Sequence, residues 1–281
     1  MQKNILAISD VSCVGRCSLT VALPVLSAAG ACCSILPTAV LSTHTGGFSG
    51  YTFRDLTDDL APILAHWSAL GLRFDAVYSG YLGSSRQAEI VARALDEMAA
   101  PGALRLVDPV MGDGGALYAG FSADFADEMR MLCRRADVIT PNLTEAALLL
   151  GRPYSPGPHT PDEIASLCAA LREECGAAVV ITGVQPDERT LGAAVLGRDD
   201  AEAALCLGPR LPFAMPGTGD LFASCLTAAL SRGAPLRAAA QTAVDFTHRA
   251  MARSARESRE KRYGPCFEPE LAWLAERLAE L

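Results

Sequence analysis

Pro216-Gly217-Thr218-Gly219-Asp220-Leu221-Phe222, PGTGDLF, runs directly into Ala223-Ser224-Cys225 and on through small residues to position 230. Two glycines leading into a helix expose backbone N–H groups, and a helix N-terminus carries partial positive charge, so the segment suits an anion. Asp220 puts a carboxylate in the same place. Two readings fit the stretch alone: a helix N-cap with an acidic residue favoured by the dipole, or an anion site with a carboxylate working beside it. It is not a Walker A loop, because Gly-Lys-Ser/Thr occurs nowhere in the chain, nor a dinucleotide fingerprint, because Phe222 stands where the third glycine belongs. The run 223–230 is far shorter than the roughly 20 apolar residues of a membrane span and reads as a buried helix.

Working outward, short apolar, β-branched runs alternate with helical patterns. Strands are expected at Asn4–Ile8, Cys32–Leu36, Ala76–Ser79, Arg105–Val107, Val138–Thr140 and Val179–Ile181. Helices are expected at Arg16–Ala29, Arg54–Leu70 and Arg86–Ala99, and from residue 217 onward at 217–232, 235–256 and Glu268–Leu281. Such alternation predicts a mostly parallel sheet with helices on both faces. Gly192–Leu196 and Ala203–Cys206, joined through Arg198-Asp199-Asp200, predict an antiparallel hairpin at one edge. Thr160-Pro161-Asp162-Glu163 reads as a capping box with proline at the first helical position. No repeat, low-complexity tract or linker divides the 281 residues, and one domain is expected over 1–281.

Half of the residues are hydrophobic, enough for a substantial core. The formal net charge of −8 speaks against nucleic acid or an anionic membrane as partner, but not against a small anion at a helix N-terminus. The N-terminal apolar run meets Asp10 too soon for a signal peptide, no segment is long enough to span a membrane, and the ten cysteines read as reduced core residues. A cytoplasmic location is the expectation.

In open α/β sheets ligands bind beyond the carboxyl ends of the strands. There the sequence places Ser9-Asp10, Thr38–Thr45, Ser79-Gly80-Tyr81, DPVMGDGG (Asp108–Gly115), Pro141-Asn142 and Thr182-Gly183. DPVMGDGG offers two carboxylates and three glycines for cation and phosphate contacts, or a plain turn. Asn142 and Glu145 form a capping-box variant, or Glu145 joins a water network around a metal. LSTHTGGFSGYTF (Leu41–Phe53) is a lid over a small aromatic ligand, or a surface hairpin. Hydrolase chemistry has no support, since no Gly-x-Ser-x-Gly elbow exists.

SGYLGS (Ser79–Ser84), DPVMGDGG, PNLTE (Pro141–Glu145) and GTGD, in that order, resemble the ribokinase-type vitamin kinases, and among them the bacterial pyridoxal and pyridoxamine kinases. The likeness runs from residue 3 to about residue 255. It implies a ribokinase-like three-layer α/β/α fold, with a mostly parallel central sheet, an antiparallel edge and a small flap over 38–53. The implied activity is MgATP-dependent phosphorylation of the 5′-hydroxymethyl group of pyridoxal, pyridoxamine or pyridoxine.

Carried over by position, Asp220 matches the catalytic base, and the amides of Gly217, Thr218 and Gly219 match the anion hole. Asp10, Ser12, His44, Thr45 and Tyr81 fall where the vitamer is enclosed. Asp108, Asn142, Glu145, Thr182 and Gly183 fall at the nucleotide, with Asp108 and Glu145 near Mg²⁺, mostly through water. The resemblance also implies a monovalent cation (K⁺) and a homodimer paired near the flap. Three features depart from the pattern. Asp10 replaces a histidine common after the first strand, which suggests preference for an amine-bearing vitamer. Thr182 replaces a lysine of some relatives, and the DGG loop is short. Hydroxymethylpyrimidine kinases of thiamine synthesis are the nearest alternative, although they carry a glycine-rich, glutamine-bearing stretch where this chain has DVSCVGRCSL. A non-catalytic pyridoxal phosphate-binding homologue is the other.

Overall fold

Ile5, Leu6, Ala7 and Ile8 are all completely buried, as expected for a strand covered on both faces. They lie in the first strand of a computed structural model that describes residues 2–257 and 260–281. In chain order the strands are β1 (Asn4–Ser12), β2 (Cys32–Leu41), β3 (Phe53–Asp55), β4 (Phe74–Ser79), β5 (Ala99–Val107), β6 (Gly112–Asp113), β7 (Ala116–Leu117), β8 (Val138–Ile139), β9 (Ala178–Val184), β10 (Thr190–Leu196) and β11 (Ala204–Pro209). The helices are α1 (Leu19–Ala28), α2 (Thr57–Ala69), α3 (Ser85–Glu97), α4 (Phe125–Cys133), α5 (Leu143–Leu150), α6 (Pro161–Cys175), α7 (Thr218–Ser231), α8 (Leu236–Arg256) and α9 (Leu271–Ala279).

Nine strands form one sheet in the order β11-β10-β9-β8-β5-β4-β1-β2-β3. Pairings from β2 through β9 are parallel, whereas β10 and β11 close one edge as the expected antiparallel hairpin. Period-two alternation sends the two sides of β1 into different cores. Leu6 and Ile8 join α2–α6, while Ile5 and Ala7 join α1, α7, α8 and α9. The result is the expected three-layer α/β/α arrangement.

Several boundaries differ from the sequence reading. β2 runs on to Leu41 and turns back through β3, giving a second antiparallel edge where a helix from Arg54 was expected. All three residues of β3 are exposed, so no buried pattern announces the strand. α2 starts only at Thr57, whose N–H is taken by the Asp55 carboxylate at 2.7 Å. The helix expected from Arg16 begins at Leu19, because Ser18, with φ of +55° and ψ of −132°, is outside the helical region, and Arg16 N–H bonds instead to the Tyr263 carbonyl at 3.1 Å. The C-terminal helix is preceded by a 3₁₀ turn at Glu268–Glu270.

That turn buries Glu270, which accepts hydrogen bonds from Arg249 at 2.8 Å and Arg253 at 2.7 Å, both on α8. Burial pushes its carboxyl up, but the two guanidinium bonds together outweigh burial and hold it below the ordinary glutamate range. A depressed carboxylate contributes stability above its unfolded value and loses it as pH falls through the folded one. Both arginines are partly solvated, so the expected cost of Glu270→Leu is about 1–2 kcal/mol near neutral pH. Urea unfolding should show that gap closing as pH drops below about 4.

Candidate active site

The carboxyl ends of the central strands and the N-terminus of α7 face one cavity of about 440 Å³. It brings together Asp108, Thr140, Asn142, Glu145, Thr182 and Gly183 with Gly217, Thr218, Gly219 and Asp220. All the residues expected at the nucleotide and the expected catalytic group therefore share one space. Tyr118, Phe213, His248 and Met251 line the same cavity.

α7 opens there because Gly217 can do what no other residue can. Its φ is +79°, and a Cβ on it would lie 1.8 Å from the Arg16 carbonyl oxygen. The Leu221 N–H bonds back to the Gly217 carbonyl, so the first-turn N–H groups of Thr218 and Gly219 have no carbonyl one turn back to bond. Asp220 stands in that same first turn. Burial raises its carboxyl to about 6, with help from the Asp10 charge.

Opposite, α5 holds the DPVMGDGG loop. Asn142 and Glu145 form the reciprocal capping box, with Glu145 N–H donating to Asn142 Oδ1 at 2.9 Å and Asn142 N–H to Glu145 Oε2 at 2.8 Å. Glu145 Oε1 also accepts the Met111 N–H at 3.1 Å, and Asn142 Nδ2 donates to the Gly112 carbonyl at 2.8 Å. One glutamate thus caps a helix and pins the loop, which is the capping-box reading of the sequence. The DGG segment turns between β6 and β7 with φ of +59° at Gly114 and +85° at Gly115, as a two-residue hairpin turn requires.

Burial pushes the Asp108 carboxyl up to about 8, and the Asp220 charge adds to this. Burial and then the Asp108 charge push Glu145 well up, despite its backbone hydrogen bonds. Among the described residues that line the cavity there is no lysine or arginine, and Lys261 lies over the ring of Phe213, which does line it. An anionic ligand here can be met by main-chain N–H groups and by a cation brought with it.

Asp10, Ser12, His44, Thr45 and Tyr81 do not line this cavity. Asp10 is buried, accepting from Ser12 Oγ at 2.9 Å and from Ser18 Oγ. Tyr81 N–H donates to Ser9 Oγ at 3.1 Å. Thr45 is exposed in the flap. His44 accepts the Gly46 N–H at Nδ1, at 3.1 Å, and therefore donates from Nε2 to the Arg262 carbonyl at 2.7 Å. Phe48 packs edge-on against both His44 and Tyr263, which ties the flap to residues 261–263.

Gln87 is a hub the sequence reading missed. Fully buried on α3, it donates to the Thr38 carbonyl at 3.0 Å and to Thr57 Oγ1 at 2.9 Å, and accepts the Gly83 N–H at 2.8 Å. A glutamine in an amphipathic helix normally faces solvent.

A raised carboxyl costs the fold more as pH climbs, because the unfolded chain gives up its proton from about 4 while buried Asp108 holds one to about 8. Asp108→Asn should therefore melt higher than the parent at pH 8 without nucleotide or divalent cation. The two should converge near pH 4–5. A lower melting temperature for the variant at pH 8 would contradict this charge assignment.

The phosphomethylpyrimidine kinase family profile matches residues 23–266. A pyridoxine/pyridoxal/pyridoxamine kinase of Bordetella avium is 30% identical over 260 residues, 89% of this chain and 84% of its own. A Bacteroides thetaiotaomicron protein assigned as a phosphomethylpyrimidine kinase, solved in an orthorhombic form with pyridoxal, is 39% identical. It superposes with a TM-score of 0.92 over 98% of this chain and 96% of that one. Pyridoxal kinase from Lactobacillus plantarum is 37% identical, with a TM-score of 0.91 over 98% of each chain. With its motifs in order around one cavity, the chain belongs to the phosphomethylpyrimidine kinase family, in the pyridoxal kinase group of the ribokinase superfamily.

Proposed function

We propose that the protein transfers the γ-phosphoryl group of ATP to the 5′-hydroxymethyl group of a vitamin B6 vitamer. The observation that carries this reading is the first turn of α7, where Asp220 stands next to the open N–H groups of Thr218 and Gly219 in a cavity shared with Asp108 and Glu145. Phosphoryl transfer asks little covalent chemistry of a protein. It needs the reactants in line, the developing charge met, and the attacking hydroxyl oriented.

Each need has a residue. Asp220, ionised, accepts the proton of the hydroxymethyl group as its oxygen attacks phosphorus. The amides at the start of α7 meet the charge on the transferred group. Asn142, Thr182 and Gly183 border the nucleotide side. Asp10, Ser12, Tyr81 and the flap residues His44 and Thr45 border the vitamer side.

Among the described residues no cluster of three or more His, Cys, Asp or Glu could cage a metal. Two buried carboxylates that no described lysine or arginine side chain pairs with instead suit a Mg²⁺ carried by the nucleotide, with Asp108 and Glu145 holding its waters. When bound, that ion would neutralise phosphate oxygens. No helix among the described residues is long and apolar enough to cross a membrane. We further propose a cytoplasmic homodimer paired near the flap, where Tyr51 and Phe53 are exposed beside edge strand β3.

Hydroxymethylpyrimidine is the second acceptor to test, because the matching family profile is that of phosphomethylpyrimidine kinases and it too presents a hydroxymethyl group on a flat heteroaromatic ring. Steady-state rates of ADP release with pyridoxal, pyridoxamine, pyridoxine and hydroxymethylpyrimidine decide between them. A B6 vitamer should give the highest kcat/KM. ADP release with none of the four would leave a binding protein. Asp220→Asn should lower kcat by about 10²–10⁴ with the KM for ATP little changed. Since Asp220 must be ionised to accept a proton, kcat/KM should fall as pH drops through about 6. A flat profile from pH 5 to 8 would remove it from that role.

A further inference from the structure

Of the 24 basic residues in the chain only Lys3 and Lys261 are lysines. Lys3 pairs with Asp75 at 3.4 Å and does not line the cavity described above. Lys261 has no such partner among the described residues. Glu260 is taken by Arg262 at 2.8 Å, Glu268 by Arg16 at 2.7 Å and Glu257 by Arg253 at 3.9 Å. The Lys261 Nζ lies instead 4.4 Å from the centre of the Phe213 ring. Phe213 belongs to the lining of the cavity, together with Pro216, Gly217 and Thr218 at the start of α7.

The backbone that carries Lys261 is fixed against that helix start. Lys261–Tyr263 is a 3₁₀ turn, with Tyr263 N–H donating to the Glu260 carbonyl and Gly264 N–H to the Lys261 carbonyl, both at 3.1 Å. The Tyr263 carbonyl accepts from Arg16 N–H at 3.1 Å. A Cβ on Gly264, where φ is +77°, would come within 2.8 Å of the Arg16 carbonyl oxygen and 3.2 Å of the Pro216 carbonyl oxygen. The turn is thus packed onto the chain that opens α7, while the exposed Lys261 side chain is free to move.

An ammonium over an exposed ring is weakly held. A charge-assisted hydrogen bond to a phosphate oxygen is stronger. Lysine suits a move from one to the other, because its charge is a compact point on a flexible four-carbon stem. Arginine, the residue this chain uses almost everywhere else, presents a planar fork made for a fixed bidentate partner. The cavity supplies the demand, since phosphates there would face Asp108, Glu145 and Asp220 with no basic side chain among the described lining residues.

We infer that Lys261 is a nucleotide-binding residue: its ammonium leaves the Phe213 ring and hydrogen-bonds the phosphates seated at the start of α7. The inference rests on the reading of this cavity as the ATP site. It adds one side-chain cation to the main-chain N–H groups and the nucleotide-borne Mg²⁺, and it gives Phe213 the task of holding that cation beside the cavity until a nucleotide arrives.

The test is equilibrium binding of ATP, ADP and adenosine to the full chain, with steady-state kinetics on the same preparations. Lys261→Met should weaken ATP binding by about tenfold, the lower end for a hydrogen bond to a charged group. The KM for ATP should rise in step, with kcat and the vitamer KM within about twofold. Adenosine, which lacks phosphates, should bind parent and variant alike. Added salt should weaken ATP binding more in the parent than in Lys261→Met. Lys3→Met makes the same change in net charge and should leave ATP affinity unchanged. Unchanged ATP affinity in Lys261→Met, an equal loss for adenosine, an identical salt response, or an equal loss in Lys3→Met would overturn the inference. A parent protein that binds none of the three ligands would instead overturn the reading of the cavity as a nucleotide site.

Discussion

The Arg16 carbonyl oxygen is the point on which the site turns. A Cβ on Gly217 would approach it to 1.8 Å and one on Gly264 to 2.8 Å, so two backbones close on it where only glycine fits. Gly217 thereby sets where α7 begins, and Gly264 brings residues 261–267 against the same loop. Arg16 N–H bonds to the Tyr263 carbonyl, and its guanidinium pairs with Glu268 at 2.7 Å. The flap reaches the same segment through His44 and Arg262. The β1–α1 loop, the flap, the C-terminal turn and the start of α7 are thus fitted around one main-chain oxygen.

Charge is the second constraint. Asp10, Asp108, Glu145 and Asp220 are concentrated at the strand ends and the start of α7, and among the described residues no lysine or arginine lines the cavity. Packing alone would not select such a group, since each buried carboxylate is costly when charged and unpaired. The arrangement is coherent for a site completed by its ligand, with backbone N–H groups and a nucleotide-borne cation supplying the positive charge. Local rules broken at a functional site and offset elsewhere are a common pattern.

Much of this was legible in the residues. Short apolar runs announce strands of the buried sheet, and those of β1, β4 and β9 placed the polar strand ends correctly. The glycine pair before Asp220 and the Asn142–Glu145 spacing marked two helix starts that the structure confirms. The sequence left out what long-range contacts decide. β3 is short and exposed, so pairing with β2 alone defines it. Gln87 looks like a solvent-face residue until Thr38, Thr57 and Gly83 surround it. The positive φ of Ser18 has no signature in composition or spacing. Even the capping-box reading of Glu145 stopped short, because the Met111 N–H comes from a loop about thirty residues away.

The central claim is that main-chain N–H groups, set by the glycine at the start of α7, stabilise the phosphoryl group in transfer. The most direct measurement is the turnover of Gly217→Ala at saturating ATP and vitamer, with the melting temperature taken on the same preparation. A Cβ at that position forces the Arg16 carbonyl and the first turn of α7 apart. Losing an aligned donor of this kind costs about 10²–10³ in kcat, and that loss is expected from a protein that still melts cooperatively. Turnover within a few-fold of the parent would contradict the account.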